Sequence, residues 1–93
     1  MLELQSILVQ NPACPVREIG EGLVIMAPEG TVTHSLESIG VFIWNHIDGQ
    51  NSLQMVLDAI VAEYDVAADT AREDLLEFVN QMHKSGLVLT ADG

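Results

Sequence analysis

Between His34 and Gly49 the chain reads HSLESIGVFIWNHIDG, and its apolar positions recur every three or four residues: Leu36, Ile39, Ile43 and Ile47, with Phe42 and Trp44 broadening the apolar side. This is the period of an α-helix buried around most of its circumference. Ser35 is placed to accept from the first free amides and Gly49 to end the helix in the left-handed region, so the pattern predicts a central helix across residues 35–48 with Trp44 in the core. Upstream the period changes to that of strands. Residues 16–19 and 23–27 are β-prone runs separated by Gly20-Glu21-Gly22, which predicts a hairpin. Pro28-Glu29-Gly30 makes a second turn, and Thr31, Val32, Thr33 and His34 follow as a third short strand.

Downstream, Leu53, Val56, Leu57, Ile60, Val61 and Tyr64 fall on one helical face, opened by an Asn51 to Gln54 capping box. Residues 65–69 break the pattern. A Thr70 to Glu73 box then opens a further helix with Leu75, Phe78, Val79 and Met82 on its core face, closed by Gly86. Residues 87–90 form a β-prone tail able to add a strand. The lead segment, residues 1–13, carries Leu2, Leu4, Ile7, Leu8 and Val9 ahead of an Asn11-Pro12 breaker. It covers either an edge of the core or a second subunit, so a homodimer is among the open arrangements. The expected whole is a single α+β domain over residues 1–93: a three-stranded antiparallel N-terminal sheet within 16–34, then three helices within 35–86, in a winged helix-turn-helix-like order.

Composition narrows the partners. Fourteen carboxylates against Arg17, Arg72 and Lys84 give a net charge of −11. Nucleic-acid binding draws on Lys and Arg to neutralise phosphates, so this chain is expected to bind neither nucleic acid nor an anionic membrane. Cys14 is the one cysteine, which excludes an intramolecular disulfide and fits a reducing, cytoplasmic setting. No apolar run approaches a signal core or a membrane span.

Catalytic chemistry finds little footing. His34, His46 and His83 stand on three separate elements without metal-ligand spacing, and no serine, cysteine or lysine lies in a nucleophile motif. The glycines at 20, 22 and 30 belong to hairpin turns and not to a phosphate-binding strand-to-helix junction. The expectation is a protein that is not an enzyme and needs no cofactor or metal. Two features carry more. A third strand at a sheet edge leaves amides and carbonyls free to pair with another strand. On the last helix, Arg72, Leu76, Val79 and His83 form a stripe beside the core face, apolar at its middle and basic at its ends. If the stripe borders the strand, the two form a groove suited to β-augmentation.

Residues 36–89 resemble the PqqD-like family of peptide-recognition domains in pathways that modify ribosomally made peptides. The resemblance is carried by Gly40, Ile43, Trp44, Asp48 and Gly49, by Glu63-Tyr64-Asp65-Val66, and by Asp74, Phe78, Gly86 and Leu87. The family's helix often opens with Leu-Asn before the glycine. Here the stretch is Leu36-Glu37-Ser38-Ile39-Gly40, a departure that points to a relative serving another peptide than the pyrroloquinoline quinone precursor. The resemblance implies three strands followed by three helices. It also implies a chaperone that binds a precursor's leader peptide as an added strand and presents it to a modifying enzyme, often a radical S-adenosylmethionine protein. The corresponding peptide-binding positions are Thr31, Val32, Thr33, His34, Arg72, Leu75, Leu76, Val79 and His83. A winged-helix regulator and a dimerisation module without a peptide site are the competing readings. Glu73, Asp74 and Glu77 against Arg72 at the start of the last helix argue against the regulator.

Overall fold

A computed structural model describes residues 2–30 and 32–91 of the chain. The elements follow in the order β1 (Ile7–Gln10), β2 (Val16–Ile19), β3 (Gly22–Met26), β4 (Thr33–Leu36), α1 (Ile39–His46), β5 (Asp48–Ser52), α2 (Leu53–Glu63), α3 (Ala68–Lys84) and β6 (Val88–Thr90). The predicted sheet of three antiparallel strands is β2-β3-β4. A second sheet, in the order β5-β1-β6, gathers the lead segment, the residues after α1 and the C-terminal tail. The lead segment thus supplies a central strand, and the tail adds a strand as its composition allows.

Gly20, at φ 62°, takes the first turn position between β2 and β3, and Glu21 has negative φ, the pattern of a two-residue type II′ hairpin. β3 then pairs with β4 in the register Leu23↔Leu36, Val24↔Ser35, Ile25↔His34 and Met26↔Thr33. The third strand therefore begins two residues later than the TVTH run suggests. Val32 lies before it and closes the preceding loop by accepting from the Ala27 amide at 2.8 Å, while Thr31 is outside the described residues. The shift has a packing cause: it sets Leu36 opposite Leu23, where both are buried with Ile25.

Because Leu36 is used in β4, the central helix is shorter than predicted. Its N-cap is Ser38 and not Ser35, and Ser38 makes no side-chain cap bond. Its far end is cut short because residues 48–52 pair with β1, Ile7 opposite Ser52 and Val9 opposite Asp48. Gly49 is left-handed as predicted, at φ 82°, but it sits inside β5 where the register shifts, and not at a helix end. Ile43, Trp44 and Ile47 are buried as expected. Phe42 stands edge-on to Tyr64 with ring centroids 5.4 Å apart.

Two further caps differ from the sequence reading. α2 is capped by Ser52, whose Oγ accepts from the Met55 amide at 3.3 Å, one residue beyond the expected Asn51. α3 starts at Ala68, ahead of Thr70, with no side-chain cap. Its C-terminus is as predicted: Leu87 N–H donates to Met82 C=O at 2.9 Å and Gly86 N–H to His83 C=O at 3.1 Å, with Gly86 at φ 80°. That pair of bonds is the Schellman arrangement, and it turns the chain from α3 into β6. Ala71, Leu75, Val79 and Met82 form the buried face of α3.

Candidate functional site

β4 lies at the edge of its sheet, paired on one side only. In an antiparallel pair, residues that exchange backbone bonds alternate with residues that do not. The Ala27 to Val32 bond continues the β3–β4 register, so Ala27/Val32, Ile25/His34 and Leu23/Leu36 are the bonded pairs. The N–H and C=O groups of Thr33 and Ser35 consequently point away from β3, toward the open edge. Among the described residues neither amide donates to any other group.

A groove runs beside this edge, with α3 as its far wall. At the Thr33 end it is a cavity of about 530 Å³ lined by Thr33, His34 and Leu36 from the strand and by Phe78, Gln81, Met82 and Lys84 from the helix. At the Leu36 end lies a smaller, mainly apolar cavity of about 360 Å³. Leu36, Gly40, Ile43, Ile60, Leu75 and Phe78 make its walls, and Glu37 and Asp74 also line it. Gly40 of α1 borders this cavity, where a Cβ would make ordinary van der Waals contact, 3.5 Å from Leu36 Cβ and 3.6 Å from Phe78 Cζ. Leu36 and Phe78 line both cavities, which therefore lie next to each other along the strand.

Of the expected site residues, Thr33 and His34 line this groove, Val32 precedes the strand, and Thr31 is outside the described residues. Leu75 forms part of the apolar cavity's wall, and Val79 is wholly buried in the core. Arg72, Leu76 and His83 are not brought to the strand. They follow the opposite margin of α3, where neighbouring Asn80 accepts the Leu2 amide at 3.2 Å, and Leu76 packs on the core. Arg72 is exposed, its guanidinium 3.9 Å from Asp69, a loose pair within one helical turn. The groove is also lined by Ser35, Leu36, Glu37, Asp74, Phe78, Gln81 and Lys84, which the sequence did not point to. The signal was there in the i, i+4 spacing of Asp74, Phe78 and Met82, on the other side of the same buried stripe.

Elsewhere the polar groups serve the fold. The Cys14 thiol is buried, and burial, with Glu29 adding repulsion, pushes its pKa up, so it stays protonated and a poor nucleophile. The His46 ring lies 2.8 Å from the Phe42 carbonyl through Nδ1. Asp48 accepts from the amides of Asn51 and Gln50 at 3.0 and 2.9 Å, which holds its carboxyl below the usual aspartate range. No group of three or more His, Cys, Asp or Glu converges on a metal position among the described residues. No described helix is long and apolar enough to cross a membrane.

Residues 22–88 match the family model described as coenzyme PQQ synthesis protein D. The chain belongs to the PqqD family. The matched region holds β3, β4, all three helices and hence the whole groove. A PqqA binding protein of Xanthomonas campestris pv. campestris (strain 8004) is 26% identical over 89 residues, covering 86% of this chain and 95% of that one. Two solved structures share the fold. TbiB1 in complex with the TbiA(beta) leader peptide superposes with a TM-score of 0.77 at 24% identity, over 86% of this chain and 93% of the other. Lasso peptide synthetase B1 complexed with the leader peptide gives 0.78 at 20% identity, over 88% and 96%.

Proposed function

We propose that this chain is a non-enzymatic carrier that takes the leader of a ribosomally made precursor peptide as a fourth strand on β4 and presents it to a modifying enzyme. The observation that carries the reading is the unpaired backbone of Thr33 and Ser35 lying beside a groove walled by Leu36 and Phe78. Backbone pairing supplies sequence-independent affinity, and the groove supplies selectivity through alternate side chains of the added strand. A relative described as a PqqA binding protein and two like-folded proteins solved with leader peptides support the same class of ligand. A cytoplasmic setting and a partner of the radical S-adenosylmethionine type are the finer parts of the proposal. The regulator reading is disfavoured by exposed Glu73, Asp74 and Glu77 at the start of α3, where a DNA-reading helix needs cations.

The test is a titration of the isotope-labelled protein with a candidate leader, followed through its backbone amide resonances. The Thr33 and Ser35 amides should shift and become slow to exchange with solvent, whereas the His34 amide, already bonded to β3, should change less. Shifts confined to the Arg72, Leu76 and His83 margin would refute this placement.

A further inference from the structure

The groove is electrically asymmetric along its length. At the Thr33 end stands Lys84, one of three Lys and Arg residues in a chain of net charge −11, with His34 beside it. At the Leu36 end, Glu37 and Asp74 line the apolar cavity, with no Lys or Arg in its lining. All three charged side chains are exposed. Among the described residues none of them is engaged in an ion pair within 4 Å, the Arg72–Asp69 contact being the one such pair. They are therefore available to a ligand.

Direction follows from the strand. Antiparallel pairing is the more stable per residue, so an added segment enters at the Leu36 end and leaves at the Thr33 end. Every second side chain faces α3, and five residues reach across roughly 13 Å, about the length of β4 itself. We propose that the segment this groove selects carries its charges in a fixed order from N to C: Lys or Arg against Glu37 and Asp74, a bulky apolar side chain two residues on against Leu36 and Phe78, and Asp or Glu two further on against Lys84. The inference rests on the reading that β4 receives a peptide strand and adds to it the chemistry of that peptide. The order is the informative part. A chain of net charge −11 attracts any cationic peptide, whereas only local charges at the two ends of the groove distinguish sequence isomers.

The experiment compares two labelled synthetic peptides of identical composition, one with a Lys-x-Leu-x-Glu core and one with Glu-x-Leu-x-Lys, x being Thr or Val, by fluorescence anisotropy at low salt. The first should bind about tenfold more tightly, as expected of several exposed charge pairs whose sign reverses together, and the difference should shrink at high salt. In the triple variant Glu37→Lys, Asp74→Lys, Lys84→Glu the preference should invert; the three positions are exposed, and circular dichroism verifies that the variant is folded. Thr33→Pro, run with both peptides, reports separately on strand addition. Equal affinities for the two isomers, both weakened by Thr33→Pro, would overturn the charge order and leave strand addition standing. A preference for the second isomer would overturn the order as well. Absence of binding by either, or binding indifferent to Thr33→Pro, would overturn both.

Discussion

Substituting proline at Thr33 and at His34 separates the two sides of β4, because the amides of adjacent residues have opposite fates. The His34 amide points at Ile25, a residue with no exposed surface, so proline there deletes a ladder bond and strands a buried carbonyl. Leaving a buried acceptor unsatisfied costs about 1–3 kcal/mol. At about 4–8 °C per kcal/mol for a domain of this size, His34→Pro should lower the melting temperature by roughly 4–24 °C. The Thr33 amide points into solvent at the free edge, a position where proline is tolerated in strands. Thr33→Pro should leave the melt within a few degrees of wild type. On binding, that same amide would donate to the added peptide, and losing one such bond, worth about 0.5–1.5 kcal/mol, weakens the dissociation constant by about 2- to 12-fold. The assay is thermal unfolding by circular dichroism together with calorimetric titration of a leader peptide. Equal destabilisation by both prolines, or undiminished binding by a folded Thr33→Pro variant, would refute the assignment of outward and inward amides.

Three more expectations concern the frame around the groove. A Cβ at Gly22 would lie 2.8 Å from the Leu36 carbonyl oxygen, so Gly22→Ala should push the end of β4 away, cost about 1–3 kcal/mol in urea unfolding, and impair binding with it. Ser38 sits at φ 50° and ψ −118°, a conformation that suits glycine, and Ser38→Gly should stabilise the domain by about 1 kcal/mol in the same measurement. The Asp48 carboxyl, accepting amide bonds from Asn51 and Gln50, has its pKa lowered on folding, so the stability it contributes is full above the ordinary aspartate range and is lost as pH falls through the depressed value. Asp48→Asn should therefore flatten the acid limb of a stability-against-pH curve, and an unchanged limb would show that this carboxylate does not govern it.

What could be read from the chain, and what could not, follows from how local each determinant is. The β2–β3 hairpin rests on Gly20, and the end of α3 on Gly86, both single residues with a positive φ that side-chain-bearing residues resist. The buried stripes of α2 and α3 rest on apolar spacing that survives any tertiary arrangement. β5 had no such support. Asp48-Gly49-Gln50-Asn51-Ser52 is turn chemistry by composition, and it is a strand because Ile7 and Val9 of β1 offer it a ladder from 45 and 39 positions away. The consequence reached α1, whose apolar run extends past His46 while its backbone is taken into the second sheet. The site was subject to the same limit. A buried helical stripe has two margins, and sequence spacing alone treats the Arg72, Leu76 and His83 margin and the Asp74, Phe78 and Gln81 margin alike. In the structure the Leu2 amide reaches Asn80 on the first margin, and β4 with its free edge shares its cavities with the second. A strand added to β4 would therefore meet Lys84 at one end and Asp74 at the other, and not the basic ends of the Arg72 and His83 stripe.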